Sequence, residues 1–295
     1  MSSPPSPNSA TSTARLLPFA AAALGVGFLS LMDAFMKEAA LITGAYTATV
    51  LRSLVGASII APFWLWRKEG WPTREVFKLH LERGIISAFM ALSFFFALTK
   101  LPLAEAIAIS FIAPLIALYF ARVLLGEEIK PKAVFASILG FAGTVMIVGG
   151  RIGQGEFDSE TALGLASLLF SALLYAYNFV VIRRQSQRAG PVEIATFHSG
   201  VGGAILLLFA PFLGTIPQSE ALLPIAVAGL LTVGGAMAIA WAYARAEAQA
   251  LVPIEYSGFL WASVFGWAFF REAVTLPTLA GTALIIAGCW MATRK

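Results

Sequence analysis

Little in this chain equips it for redox, metal or aqueous-surface chemistry. Its 295 residues include one cysteine, two histidines and only 12% charged side chains. A single cysteine, Cys289, excludes an internal disulfide. His80, His198 and that cysteine make no metal cluster of recognised spacing, so no metal site is expected. Ordinary globular domains carry roughly 25% charged residues, about twice this share. What the chain has in excess is apolar: 59% hydrophobic residues and a mean hydropathy of +0.82. Surface-to-volume scaling does not let a soluble domain hide that much apolar area. The composition therefore excludes a soluble enzyme, a disordered chain and a nucleic-acid-binding domain, despite a net charge of +4. It reads as an all-α polytopic membrane protein embedded in lipid.

Reaction motifs are missing too. There is no G-x-x-x-x-G-K-[ST] loop to cradle nucleotide phosphates. His198 and Ser199 are adjacent, so on a helix they point about 100° apart and form no dyad. No cofactor is implied, and an intramembrane enzyme is the weaker reading.

Residues 1–15 are rich in Ser, Pro and Thr and read as a disordered cytoplasmic tail. With no basic residue before Arg15 and a long apolar run after it, they do not form a signal peptide. Ten apolar runs follow, near 16–36, 44–66, 84–100, 104–125, 132–150, 161–182, 192–213, 221–243, 250–270 and 276–292. Each has about the length that carries a helix across roughly 30 Å of hydrocarbon. None shows the period-two alternation of a barrel strand. Fifteen of the 20 Lys and Arg residues fall on one side of the resulting topology and four on the other, with Arg52 inside the second run. Basic residues are retained inside, so both termini and the loop from Arg67 to Arg83 should be cytoplasmic. Trp64, Trp66, Trp71 and Trp290 then fit an inner interfacial belt.

The second half repeats the first. Ala104-Glu105-Ala106 recurs as Ala246-Glu247-Ala248, Ala34-Phe35 aligns with Asn178-Phe179, Arg52 with His198, Glu127 with Glu272, and Ala142-Gly143 with Ala287-Gly288. The spacing divides the chain into a first five-helix repeat at 16–150, a linker at 151–160 and a second repeat at 161–295. An odd helix count sends the second copy into the membrane from the opposite side. Such inverted repeats are the signature of alternating-access carriers.

The segment Leu101-Pro-Leu-Ala-Glu-Ala-Ile-Ala-Ile-Ser-Phe-Ile-Ala-Pro114, then Leu124-Leu-Gly-Glu-Glu128, together with Phe269-Phe-Arg-Glu272, resembles the EamA type of the drug/metabolite transporter superfamily. Within it, the chain is most similar to YddG-like exporters of aromatic and other amino acids. The resemblance implies a central cavity and a small-molecule cargo such as an amino acid. Protons or the substrate gradient would drive flux in a bacterial-type inner membrane. A drug or nucleotide-sugar carrier is the rival within transport, although only Arg52 would be available for phosphates. A monomer is compatible with this plan.

Charges inside the spans carry the most information, because leaving one in lipid costs at least about 2.5–3.5 kcal/mol. Asp33, Lys37 and Glu38 close the first run as a solvated rim. Arg52 reads as an ion-pair partner for Asp33 or Glu38, or as a substrate-carboxylate site. His198 occupies the equivalent place in the second repeat. Glu255 has no Lys or Arg nearby in its helix and is the candidate for proton coupling. Substrate contacts are expected from Tyr175, Tyr177, Asn178, Trp241, Tyr243, Tyr256 and Phe94, with Ser110 and Glu255. Aromatic rings with polar tips suit planar or amphipathic cargo. Pro114 and Pro253 stand at corresponding places as candidate hinges.

Overall fold

The computed structural model describes residues 8–67, 70–125, 131–153, 157–243, 245, 254 and 256–293. The described residues hold helices and no strand. In order they are α1 (Asn8–Thr43), α2 (Ala45–Trp66), α3 (Arg74–Leu98), α4 (Leu103–Ser110), α5 (Ala113–Leu125), α6 (Pro131–Gly153), α7 (Ser159–Ser186), α8 (Pro191–Leu207), α9 (Ala210–Leu213), α10 (Ser219–Tyr243), α11 (Gly258–Phe270) and α12 (Leu276–Thr293). Among the described residues, six segments are long and apolar enough to cross a membrane: Leu17–Thr43, Ala45–Trp66, Arg74–Leu98, Leu103–Leu124, Ser159–Ile182 and Ser219–Ile239. Shorter apolar helices cover Ile138–Gly150, Val192–Leu207, Gly258–Phe270 and Leu276–Gly288.

Three boundaries differ from the sequence expectation. Residues 8–15, expected in a disordered tail, belong to α1. Between Pro7 and Pro18 there is no helix breaker, and a helix anchored in the bundle extends outward at one hydrogen bond per residue. Helix α3 starts at Arg74, ten residues before the apolar run, so His80 and Arg83 are helical rather than loop residues. Thr73 starts it, accepting a hydrogen bond from Val76 N at 3.4 Å. The fourth run is broken at Phe111 and Ile112, whose amides bond three residues back, to Ala108 and Ile109. Pro114 has no N–H to return to Ser110, which explains a break one turn before it.

Tight turns keep neighbouring helices antiparallel. Gly44 joins α1 to α2 at φ 85°, a conformation without steric cost only for glycine. Two small-residue seams let backbones approach. A Cβ on Gly235 of α10 would meet Leu29 of α1 at 2.9 Å, and one on Gly143 of α6 would meet Ile285 of α12 at 2.7 Å. The main pairs are α1 on α10, α3 on α7, α2 on α8 and α6 on α12. Exchanging the two halves of the chain maps α1–α10 onto α7–α3 and leaves the other two pairs unchanged. One core of buried Ala, Leu, Ile and Met residues runs through the middle, from Met36 and Phe95 to Leu168, Phe259 and Ile285.

Candidate functional site

One end of the bundle, carrying the Gly44 turn, is tied shut by charge. Lys37, expected on a solvated rim, is buried; it forms an ion pair with Glu272 and donates to Leu101 O at 2.7 Å. The other carboxylate oxygen of Glu272 accepts from Leu103 N at 2.7 Å, at the start of α4. A carboxylate suits that N-terminus, where backbone N–H groups lack intrahelical partners. Arg271 adopts the left-handed conformation at φ 57° to end α11 and turn Glu272 inward. Glu105 is buried in the first turn of α4 and accepts from Thr278 at 3.2 Å. Lys100 pairs with Glu160 across α3 and α7. Thr215 donates its N–H to Thr47 at 3.1 Å and its hydroxyl to Thr43 O at 3.0 Å.

The opposite end is held by packed rings and by the hydrogen bonds of His80. His80, expected in a loop, is buried, stacked on Phe197 at 4.4 Å. Its Nε2 lies 2.7 Å from Glu193 and its Nδ1 2.6 Å from Gln185. Trp64, expected in the interfacial belt, is instead buried, edge-on to Trp71 at 5.6 Å and Phe197 at 5.4 Å. Trp66 and Trp71 are exposed, as belt residues are.

Between the two ends lie the charges picked out within the spans. Asp33 of α1, Arg52 of α2 and His198 of α8 sit deep in the bundle, yet each keeps part of its side chain accessible. The expected ion pair of Arg52 with Asp33 or Glu38 is not found: among the described residues no salt bridge within 4 Å joins them. Asp33 lies only within electrostatic reach of Arg52, whose guanidinium stands over the Phe95 ring at 5.2 Å. His198 lies within electrostatic reach of Arg52 and of Arg83. Arg83 donates to Gln185 Oε1 at 2.8 Å.

Sequence reasoning missed Arg83 and Phe95. Arg83 was counted among loop cations because the apolar run starts after it. Phe95 is one of three consecutive phenylalanines, and only the packing shows which ring meets Arg52.

The expected substrate residues separate by helix face. On α7, Gly164, Leu168 and Tyr175 share one stripe at spacings of four and seven. The first two are buried and Tyr175 is 40% exposed. That stripe lies opposite the exposed stripe of Leu163, Phe170 and Leu173, so Tyr175 sits on the helix face that packs on the bundle. Tyr177 is turned some 200° from it; it donates to Glu82 at 2.6 Å and packs on Phe120, away from that stripe. Asn178 is buried against α3, with its Oδ1 lacking a partner.

Trp241 is a correction. It shares a stripe with Leu223, Leu230 and Met237, all strongly exposed, and stands against Arg245 at 4.2 Å. Spacings of 18, 11 and four residues put these four on one apolar outer face, away from the interior. Tyr256 packs edge-on to Phe111 at 5.3 Å, beside the break after Ser110. Ser110 donates to Ala106 O at 2.8 Å. Phe94 lies edge-on to Phe95. Glu255 and Pro253 lie outside the described residues, as do Glu127, Glu128 and Glu247; for Tyr243 and Pro114 only the helix positions are described.

Two surface clefts lie away from this interior set. One of about 480 Å³ is lined by Trp71, Arg74 and Lys78; one of about 400 Å³ lies beside Thr43–Thr47 and Thr215. Neither includes Asp33, Arg52 or His198. Among the described residues no group of His, Cys, Asp and Glu is placed to hold a metal ion.

Known proteins resemble this bundle over nearly its whole length. A pseudopaline exporter of Pseudomonas aeruginosa is 29% identical over 266 residues, 88% of this chain and 90% of that protein. A riboflavin transporter of Brucella anthropi is 26% identical, over 71% of this chain and 74% of that one. A solved crystal structure at 21% identity shares the fold, with a TM-score of 0.61 over 95% of this chain and 97% of the other. The pattern of the EamA-like transporter family matches twice, at 16–149 and 162–294, once in each half. With both halves matched and the curated relatives named as transporters, this multi-pass membrane protein belongs to the EamA-like transporter family.

Proposed function

We propose that the chain is a ten-span carrier of two inverted five-helix repeats, exporting small metabolites by alternating access. Its cargo is amino acids, aromatic ones included, and its membrane the bacterial inner membrane with both termini cytoplasmic. The observation that carries this reading is the interior set Asp33, Arg52 and His198: charged and polar groups deep in an apolar bundle. Intramembrane ionisable groups of this kind mark solute paths. The exchange-symmetric helix pairing supports two mirrored halves, and the names of the relatives support export of a metabolite and passage of a flat-ringed one.

On this orientation the Gly44 end is the external gate, locked by Lys37–Glu272 and Lys100–Glu160, and the interior opens past Tyr175 to the cytoplasm. Carriage needs both gates to open in turn. Release of the Lys37 ammonium from Glu272 is the event that opens the outer one. Glu255 is the proposed coupling carboxylate: Glu255→Gln should keep substrate exchange and lose the pH dependence of net export.

Counterflow in proteoliposomes tests the whole reading. Vesicles loaded with unlabelled amino acid should transiently accumulate the labelled one above equilibrium. Passive leak at the rate of empty vesicles, across an amino-acid panel including phenylalanine and tryptophan, overturns it. A reporter active only outside the cytoplasm, fused after Lys295, should stay silent.

A further inference from the structure

The two guanidiniums of the interior are incompletely satisfied. Arg52 has the face of Phe95 beneath it, and its buried Nε has no hydrogen-bond partner. Arg83 uses one N–H on the neutral Gln185, and its buried Nε is likewise unpartnered. His198 between them in reach leaves Nδ1 unpartnered. The nearby carboxylates do not fill the deficit. Glu193 is taken by His80, Glu82 by Tyr177, and Asp33 stands off Arg52 without an ion pair. A buried cation without a counter-charge is costly, and fixed N–H donors aimed at nothing add to the cost.

The neutral groups repeat the pattern. Helix α7 meets α3 through Ser171, which donates to Met90 O at 2.8 Å, and through Gln185, 2.6 Å from His80. Asn178 lies two turns from each on the same stripe, and so comes level with Ser87. Both are nine-tenths buried or more, and both have a side-chain oxygen without a partner. Five unpartnered polar atoms therefore lie on α2, α3, α7 and α8, helices that pack against one another.

We infer that Arg52, His198 and Arg83, flanked by Asn178 and Ser87, form the subsite that takes the carboxylate of the transported solute, with Asp33 receiving its amine. This deepens the carrier reading and rests on it. Guanidinium forks match a carboxylate with two parallel hydrogen bonds, and an oxyanion supplies both the missing charge and the missing acceptors. The Ser87 hydroxyl adds a donor for the same oxygens, and the Asn178 amide oxygen adds an acceptor for the amine beside them. The cargo is thus a zwitterion: an amine alone, or a neutral amphipath, leaves both arginines unpaired.

Charge-selective labelling tests the subsite without requiring transport. In a Cys289→Ser background, His198→Cys is exposed to an anionic sulfonatoethyl and a cationic trimethylammonioethyl thiosulfonate. A cationic pocket concentrates anions about tenfold or more. The anionic-to-cationic rate ratio at position 198 should exceed that of free cysteine by about that factor. It should fall toward the free value in Arg52→Gln and in Arg83→Gln. Millimolar L-phenylalanine should slow labelling, and 2-phenylethylamine, which lacks only the carboxylate, should not. A ratio equal to that of free cysteine, or no labelling by either reagent, overturns the subsite. Protection by inorganic phosphate but not by phenylalanine overturns its carboxylate assignment. If the cysteine variant does not elute as a single species, the unfolding midpoint of the parent decides: it should rise with phenylalanine and not with phenylethylamine. Biased labelling in a chain that shows no counterflow would keep the subsite and reject the carrier.

Discussion

The Gly44 end and the opposite end of this bundle are closed by different chemistry. At the Gly44 end the closing groups are ions: Lys37 with Glu272, and Lys100 with Glu160. At the other end they are rings packed on one another, with His80 fixed by Glu193 and Gln185. An ion pair is released by moving or neutralising one partner, whereas a ring cluster holds through dispersed contact and yields gradually. On the carrier reading, such unlike locks would let the two ends open one at a time.

The largest effect should come from breaking the ionic lock. Glu272→Ala leaves the Lys37 ammonium buried with its carboxylate partner gone and Leu103 N without its acceptor. Removing one member of a buried ion pair costs about 3–5 kcal/mol. The unfolding midpoint in detergent should drop sharply, and Glu272→Gln, which can still accept from Leu103 N, should drop less. Equal losses would mean that the charge matters and the helix cap does not.

A similar but smaller loss should follow at the small-residue seam that both ends share. Gly143→Ala pushes a methyl against Ile285 and the Gly281 carbonyl, where α6 and α12 pack. Overpacking of this kind costs about 1–3 kcal/mol. Gly149 of the same helix has nothing within 4 Å of where a Cβ would stand. Gly149→Ala should therefore raise the midpoint, since alanine favours a helix by about 1 kcal/mol over glycine. The pair separates close approach from helix propensity within one element.

The interior contrast between Tyr175 and Trp241 also shows what the sequence could and could not convey. Length and hydropathy fix where apolar helices lie, and repeats at near-constant spacing anticipate a chain matched by one family pattern in each half. The residue types of the interior were legible as well: Asp33, Arg52 and His198 stand out because charge inside an apolar run needs a reason. Which side of a helix meets lipid was not legible, because a membrane helix is apolar all round and its outer face carries no polar stripe to mark it. Trp241 and Tyr175 look alike on that basis, and only packing against neighbours separates them. Arg83 and Lys37 were misplaced for a related cause: cations near the ends of apolar runs look like loop residues until a distant segment, Gln185 or Glu272, supplies the partner. On the carrier reading, Tyr175→Ala should weaken transport of aromatic cargo about three- to tenfold, the range of one aromatic pair. Trp241→Ala should change it less than about twofold. The reverse order would put the solute path on the outer face of α10.

The smallest expected effect lies outside the spans, at the Gly44 end, where Asp158 starts α7. Its carboxylate accepts from Thr161 N at 2.8 Å, and this hydrogen bond to the charged form holds its pKa below the usual carboxylate range. A group whose folded pKa is depressed stabilises the fold above its unfolded pKa, and that contribution fades as pH falls through the folded value. The window therefore lies below about pH 4. Asp158 is fully solvated, so water and salt screen it, and its share of stability is small. Asp158→Asn keeps a capping oxygen and removes the titration. Its midpoint should lie slightly below that of the parent above pH 5, and the two should converge on acidification. Glu160, two residues on, carries a second carboxylate in its pair with Lys100, so the comparison needs Glu160→Gln in both chains. With that background, any acid sensitivity that Asp158→Asn still removes belongs to the helix cap, and identical acid limbs would mean that the capping charge adds no measurable stability.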